Sequence, residues 1–184
     1  MKVATFLAEG FEETEAIATI DLLRRAGLTV CVFSVTEDLK VTGANQISVF
    51  ADELMSAFDP NDYKMLFLPG GMPGTLNLQK CEALMEAVKL FAQKRKWLAA
   101  ICAAPSIFGE LGLLKGKEAT CYPGFESKLT GATFAVKKEV VVSDRIITSR
   151  GVGTVIPFAL HIIANLVGEE KADEIEAGIV HRVR

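Results

Sequence analysis

The chain has 184 residues, half of them hydrophobic, and a formal net charge of −3. This length suits one domain with a substantial core, and the composition excludes a disordered or low-complexity chain. The slight negative charge argues against nucleic-acid binding, and the lack of an apolar run long enough to cross a bilayer argues against a membrane protein.

Short apolar runs alternate with helical patterns along the chain. Predicted strands cover residues 2–8, 28–35, 64–68, 98–101, 140–142 and 145–149. Predicted helices cover residues 12–26, 81–95, 154–167 and 169–177. Near-continuous apolar strands that alternate with amphipathic helices indicate an α/β fold with a mostly parallel sheet and helices on both faces. Because no linker or repeat interrupts the pattern, we predict a single domain over residues 1–184.

The most informative segment surrounds Cys102. This cysteine ends an apolar run of strand length, and small residues and Pro105 follow it directly. The pattern predicts a thiol on the sharp turn between a buried strand and a helix. A helix start favours the thiolate, so we expect Cys102 to have the lowest pKa of the four thiols. The alternative is an inert cysteine that ends a core strand.

An acidic cluster is predicted at the same edge of the sheet, since loops after parallel strands gather beyond their carboxyl ends. Glu12 and Glu13 fit the solvated first turn of a helix, where negative charge is favourable. Glu15 lies one turn inside the helix, directly before an inward-facing side. A carboxyl group buried there has a raised pKa and can donate a proton to a thiolate.

A glycine-rich loop after the strand at 64–68 is the third predicted part of this edge. The chain has neither a P-loop nor a dinucleotide-binding glycine motif, so phosphate binding is not indicated. Gly70 and Gly71 either form a tight connection or supply a backbone N–H to an oxyanion, next to the N–H of Ala103.

Five ordered segments carry a resemblance to a known family: residues 9–15, 21–27, 68–71, 99–105 and 148–154. Together they resemble the ThiJ/PfpI superfamily and, within it, the branch often called the DJ-one family. The resemblance covers nearly the whole chain. It implies a flavodoxin-like three-layer sandwich, a homodimer, and a site that uses neither a cofactor nor a metal.

The resemblance also implies roles for particular residues. Cys102 corresponds to the reactive cysteine and Glu15 to its protonated partner carboxyl. The backbone amides of Gly71 and Ala103 correspond to the oxyanion pocket. Arg25 matches an arginine that family members hold near the site or the dimer interface.

Some positions depart from the family pattern. Protease-like members place a histidine directly after the cysteine, where this chain has Ala103, and the only histidines are His161 and His181. A Cys-His-Asp triad therefore lacks its base, and proteolysis is disfavoured. Tyr122 stands where some relatives have a histidine, and Asn45 stands where some have an arginine, which argues against an anion site.

Two functions agree with these features. The first is a cofactor-independent cysteine enzyme that acts on small dicarbonyls such as methylglyoxal, or on their glycation adducts, as a glyoxalase III or deglycase does. The alternative is a non-enzymatic redox sensor or chaperone that works through oxidation of Cys102. Both functions use the same groups, so the sequence does not separate them.

The predicted partners are a small carbonyl substrate and a second copy of the chain. For the homodimer, the first helix offers Ile17, Ile20 and Arg24 on one side, together with the turn at residues 151–153. The absence of a signal-peptide core after Met1 predicts a cytoplasmic protein, and four widely spaced cysteines agree with reduced thiols.

Overall fold

The computed structural model describes residues 1–181 of the chain. In chain order the strands are β1 (Lys2–Leu7), β2 (Thr29–Ser34), β3 (Lys40–Thr42), β4 (Ser48–Phe50), β5 (Glu53–Leu54), β6 (Met65–Leu68), β7 (Trp97–Ile101), β8 (Glu118–Ala119), β9 (Thr133–Phe134), β10 (Val140–Ser143) and β11 (Ile146–Ser149). The helices are α1 (Glu13–Arg25), α2 (Gly74–Lys80), α3 (Glu82–Gln93), α4 (Pro105–Glu110), α5 (Val155–Leu166) and α6 (Glu169–Gly178). No helix within this described range is long and apolar enough to cross a membrane.

The centre of the fold is a seven-stranded sheet in the order β10-β11-β7-β6-β1-β2-β5. Its strands are parallel except for β10, which pairs antiparallel with β11. Strands β3 and β4 form a separate antiparallel hairpin, and β8 pairs with β9. The predicted mostly parallel sheet is therefore confirmed.

Helices cover both faces of this sheet, as the sequence predicted. Helices α1, α5 and α6 pack on one face, and α2, α3 and α4 pack on the other. Successive strand residues point to opposite faces. In β6, Met65 and Phe67 enter the first core, whereas Leu66 and Leu68 enter the second. The predicted three-layer sandwich is confirmed.

Several short elements were not predicted from the sequence. Helix α2 occupies residues just before the helix that was predicted at 81–95. The observed helix there, α3, begins at Glu82. Helix α4, the β3–β4 hairpin and the two-residue strands β5, β8 and β9 were also missed. Each of these missed helices and strands has seven residues or fewer. A hydrophobic pattern of that length contains too few helical turns or strand alternations to be recognised.

One residue of the predicted dimer surface is in the core. Ile20 is only 9% exposed and packs into the core on the inner side of α1, whereas Ile17 is 44% exposed. The prediction that Ile17 and Ile20 share an outward side is therefore wrong. Residues three apart on a helix are neighbours, but they fall on either side of the boundary between the buried and solvated faces.

The sheet topology decides where the site lies. The chain passes from β1 to β2 in one direction across the sheet, and then to β6 and β7 in the other. Where the loops after two neighbouring strands run in opposite directions, a crevice opens at the carboxyl ends of those strands. Ligands of open α/β sheets bind in this crevice. The loops after β1, β6, β7 and β11 meet at this point.

Candidate active site

Cys102 lies directly after β7, on the turn that the sequence predicted. Its backbone φ is +65°, which is uncommon for a residue other than glycine and costs on the order of 1 kcal/mol. Two hydrogen bonds hold this conformation: the Cys102 N–H donates to the Ser149 carbonyl at 3.0 Å, and its carbonyl accepts from the Tyr122 N–H at 2.8 Å. The thiol is thus fixed between β11 and the loop that contains Tyr122.

The glycine loop after β6 lets the thiol and the Glu15 carboxyl approach each other. A Cβ atom placed on Gly70 would lie 2.5 Å from Cβ of Cys102 and 2.7 Å from Oε2 of Glu15. Gly71 has a φ of +94°, and a Cβ there would overlap the backbone of the loop after β1. Only glycine fits these two positions, because any side chain would push the site apart.

Glu15 is buried in the first turn of α1. Its Oε2 accepts a hydrogen bond from the Gly70 N–H at 3.0 Å. Its Oε1 is buried and has no hydrogen-bond partner within the part of the chain that the structure describes. Glu12 caps the helix by accepting from the Glu15 N–H at 2.6 Å. One carboxyl oxygen of Glu15 is therefore held, and the other remains available to a thiol or a ligand.

Glu13 does not lie in solvent as its place in a charged first turn suggested. It is buried, and its carboxylate accepts from the Asn45 N–H at 2.7 Å and from Nδ2 of Asn45 at 3.0 Å. Burial raises the pKa of Glu13, but these hydrogen bonds outweigh it and the net shift is downward. Glu13 thus anchors the turn between β3 and β4, whose Ala44 lines the site.

The thiol and the carboxyl interact strongly. Burial raises the pKa of Glu15 from 4.5 to about 7, against the lowering effect of the nearby Cys102 thiol. Burial also raises the pKa of Cys102 to about 12, and the negative charge of Glu15 adds to this increase. The prediction that Cys102 has the lowest pKa of the four thiols is therefore wrong, because its pKa is raised as far as that of Cys121, to about 12. Helix α4 has only six residues, and its start does not outweigh burial beside a carboxylate.

Two backbone amides favour negative charge on the sulfur. The N–H groups of Gly71 and Ala103 act on the sulfur of Cys102 and lower the pKa of the thiol. These are the two amides that the sequence resemblance assigned to the oxyanion pocket. The structure brings both of them to Cys102, and their use by an oxyanion stays a prediction.

These groups open into a cavity of about 590 Å³. Its lining consists of Glu12, Glu15, Ala44, Gly71, Met72, Cys102, Ala103, Tyr122, Pro123, Phe125, Arg150, Gly151, Val152, Gly153 and Thr154. Sequence reasoning singled out four of these as site residues and missed the wall formed by Tyr122, Pro123 and Phe125. That loop has no helix or strand period, so only its departure from the family pattern at Tyr122 drew attention to it.

Arg25 does not line this cavity. Its Nε donates to Oδ2 of Asp21 at 2.7 Å on the exposed side of α1. His161 is exposed on α5, with Nδ1 2.8 Å from the Pro157 carbonyl. Within residues 1–181, no group of three or more metal-binding side chains is arranged to hold an ion. Of the two roles that the resemblance implied for Arg25, only the interface role remains a prediction.

Comparison with known proteins gives a consistent result. A family model described as the DJ-1/PfpI family matches residues 1–165. Protein DJ-1 homolog B of Arabidopsis thaliana is 41% identical over 182 residues, which are 98% of this chain and 42% of the relative. Glutathione-independent glyoxalase DJR-1.2 of Caenorhabditis elegans is 34% identical over 169 residues, covering 91% of this chain and 89% of the relative. The chain thus spans less than half the length of the plant relative.

Solved structures include a similar chain. Oxidized Toxoplasma gondii DJ-1 superposes with a TM-score of 0.92 at 38% sequence identity, and the match covers 97% of each chain. The similarity in sequence and in structure extends over the strands and loops that build the cavity at Cys102.

Proposed function

Because the chain belongs to the DJ-1/PfpI family, we propose that it is a cofactor-independent cysteine enzyme that converts small α-oxoaldehydes such as methylglyoxal into 2-hydroxy acids. The observation that supports this proposal is the convergence of Cys102, the free Oε1 of Glu15 and two backbone amides in one cavity. The nematode relative named as a glutathione-independent glyoxalase supports it as well.

In the first step the sulfur of Cys102 attacks the aldehyde carbon. Since burial keeps the thiol protonated, its proton passes to Glu15, which has a pKa of about 7 and is partly ionised near neutrality. The product is a hemithioacetal. Its developing oxyanion is held by the amides of Gly71 and Ala103 until Glu15 returns the proton to it, which leaves Glu15 ionised for the second step.

In the second step Glu15 moves protons between the two substrate carbons. It removes the hydrogen from the former aldehyde carbon and returns a proton to the neighbouring carbon through an enediol. This leaves a thioester of a 2-hydroxy acid, which water hydrolyses to release the acid and restore the thiol. Substrate and water together balance the product, so the reaction needs no external oxidant or reductant.

The proposal is tested by incubating the protein with methylglyoxal in the absence of glutathione and measuring lactate. Enzymatic formation of lactate is the supporting result. Displacement of the amine by the sulfur of Cys102 at the carbinol carbon of an early glycation adduct would give the same hemithioacetal and release the free amine, which takes up the thiol proton. A glycated amino acid is therefore the second substrate for the assay.

A redox function of Cys102 is the second candidate. The two amides and Oε1 of Glu15 can hold the two oxygens of a sulfinate, if Glu15 carries the proton. Cys102 packs against the core under α1 and α5, whereas Cys121 is buried in the opposite core. Two molecules of peroxide therefore convert the thiol into a sulfinate and two waters rather than into a disulfide with Cys121.

We expect mild peroxide to add two oxygens at Cys102 alone, because the other three thiols lack this set of donors. Intact-mass and peptide mass spectrometry measure the change, with a Cys102→Ser variant as the control. An even distribution of oxygen over the four cysteines would contradict a specialised redox site.

We further propose that the chain forms a homodimer through α1 and the turn at 151–153. Ile17 on α1 and Val152 on that turn are exposed large apolar side chains. A two-fold contact repeats one patch on both subunits, so a single new charge is introduced twice and faces itself. We expect Ile17→Glu to dissociate the dimer in analytical ultracentrifugation at micromolar concentration.

Val167→Glu is the matched control for this variant. Val167 is 44% exposed, as Ile17 is, but it ends α5 away from the turn at 151–153. The wild type and this control should sediment at twice the chain mass of 19.9 kDa. A wild-type protein that sediments as a monomer would exclude the interface.

The remaining proposals concern location and partners. A cytoplasmic location agrees with the four cysteines, all of which are free thiols. Proteolysis is not proposed, because no histidine is among the residues lining the described cavity and a cysteine protease needs such a base. With a net charge of −3, the chain is not proposed to bind nucleic acid.

A further inference from the structure

The cavity at Cys102 is larger than the smallest substrates of the proposed reaction require. It measures about 590 Å³. A water molecule takes up about 30 Å³ in the liquid, and a three-carbon dicarbonyl takes up only a few times that volume. Cavities of roughly 300 to 1,000 Å³ hold ligands of drug size. The space beyond the reacting carbons is thus available to a substituent of the substrate.

The side chains around this space are mostly apolar. The apolar lining comprises Ala44, Met72, Tyr122, Pro123, Phe125 and Val152. The charged lining is limited to Glu12, Glu15 and Arg150. Of these, Glu15 belongs to the reaction, and Nη1 of Arg150 already donates to the Val136 carbonyl at 2.8 Å. Such a lining favours an uncharged apolar substituent, because most of its side chains are apolar and a charged substituent would lose hydration against them.

Tyr122 and the Glu15 carboxyl both lie close to Gly151. The point where a Cβ of Gly151 would lie is 3.2 Å from Cδ2 of Tyr122 and 3.8 Å from Oε1 of Glu15. The Tyr122 ring and the free carboxyl oxygen thus both border the space that the missing side chain of Gly151 leaves open. The Tyr122 N–H also donates to the Cys102 carbonyl at 2.8 Å, which fixes the start of this loop relative to the thiol.

We propose that Tyr122, together with Met72 and Phe125, forms a subsite for an aromatic or branched apolar substituent, so that α-oxoaldehydes with such a substituent are the preferred substrates. This proposal rests on the proposed function and adds its substrate class. The substituent packs on the Tyr122 ring while the aldehyde carbon stays at the sulfur. Tyr122 is 49% exposed, so it has ring surface left to cover.

The test compares phenylglyoxal with methylglyoxal. Each substrate takes up one water, the aldehyde carbon is oxidised and the ketone carbon is reduced, giving mandelate or lactate. Both acids are measured by chromatography, so loss of phenylglyoxal to arginine side chains is not counted. We expect kcat/KM to be about tenfold or more higher for phenylglyoxal, mainly through KM, because the substituent is bound equally before and during the reaction.

Variants assign this preference to the ring. Tyr122→Ala should lower the phenylglyoxal-to-methylglyoxal ratio of kcat/KM about tenfold, and Tyr122→Phe should keep it within about twofold. Met72→Ala is the second variant, should Tyr122→Ala not fold, and should lower the ratio too. Its matched control is Leu76→Ala, since Leu76 is 45% exposed like Met72 but does not line the cavity.

The outcomes separate the two proposals. Lactate formation with no preference for phenylglyoxal would overturn the subsite and leave the proposed function intact. An equal loss of preference in Tyr122→Phe and Tyr122→Ala would also overturn it, because the hydroxyl and not the ring would then be responsible. If neither acid forms, the proposed function fails and the subsite fails with it.

Discussion

Replacement of Cys102 by serine is expected to abolish the turnover of methylglyoxal, with a loss in kcat/KM of about 10³-fold or more. The serine hydroxyl is a much weaker nucleophile than sulfur, and Glu15 with a pKa of about 7 is too weak a base to ionise it. The substitution removes no buried apolar volume of note, so the fold should persist. Lactate formation and circular dichroism measure the two effects.

Two other cysteines provide matched controls. Cys31 and Cys81 are half-buried free thiols, as Cys102 is, but neither lines the cavity. Cys31→Ser and Cys81→Ser should keep turnover within about twofold of the wild type, as surface substitutions outside a site do. If Cys102→Ser retains more than about a tenth of wild-type activity, the sulfur is not the nucleophile.

Replacement of Glu15 by glutamine is expected to lower kcat/KM by about 10² to 10⁴-fold, the usual contribution of a general acid or base. Glutamine keeps the shape and the hydrogen bond from Gly70 but cannot accept the thiol proton. In the wild type, kcat/KM should rise with pH through about 7 as Glu15 ionises. This limb should be absent from Glu15→Gln. A variant that keeps both the rate and the limb would show that Glu15 is structural.

The stability of Glu15→Gln relative to the wild type should increase with pH. The folded-state pKa of Glu15 is raised from 4.5 to about 7, so the stability of the wild type decreases as the pH rises between these values. Glutamine carries no charge to desolvate. Relative to the wild type, Glu15→Gln should therefore gain up to about 3 kcal/mol in free energy of unfolding between pH 4 and pH 8.

Urea unfolding at several pH values measures this difference. Glu82→Gln, at the exposed start of α3, is the control and should show no such gain. A pH-independent difference for Glu15→Gln would mean that Glu15 is not buried as a proton-binding group. A substitution that lowers activity and raises stability is typical of a catalytic group whose burial destabilises the folded protein.

The sequence predicted the long elements of the fold because they carry repeated physical signals. The strands β6 and β7 are apolar throughout, β1 is apolar except for Lys2 and Thr5, and α1 and α5 have enough turns for their buried sides to repeat. The short helices α2 and α4 carry no such repetition. Their positions follow from packing against the sheet, which local sequence does not encode.

For the site, the sequence by itself determined which side chains meet. In a parallel sheet the loops that follow neighbouring strands converge, so Glu15, Gly71 and Cys102 were placed together from strand order and motif alone. The tertiary structure decided their electrostatic state. Burial depends on contacts between distant segments. It raises the pKa of Glu15, as the sequence predicted, and also that of Cys102, where the local turn suggested a thiolate.

Only the tertiary structure also decided the shape of the cavity and the outward face of α1. Tyr122 reaches Gly151 across 29 residues of chain, and the missing side chain of that glycine is what makes room for the ring. Ile17 and Ile20 have the same chemistry and lie one turn apart, yet the packing of α1 on α5 and the sheet buries one and exposes the other. Identical side chains are distinguished only by their neighbours in space, and for this reason the sequence pattern alone left both on one surface.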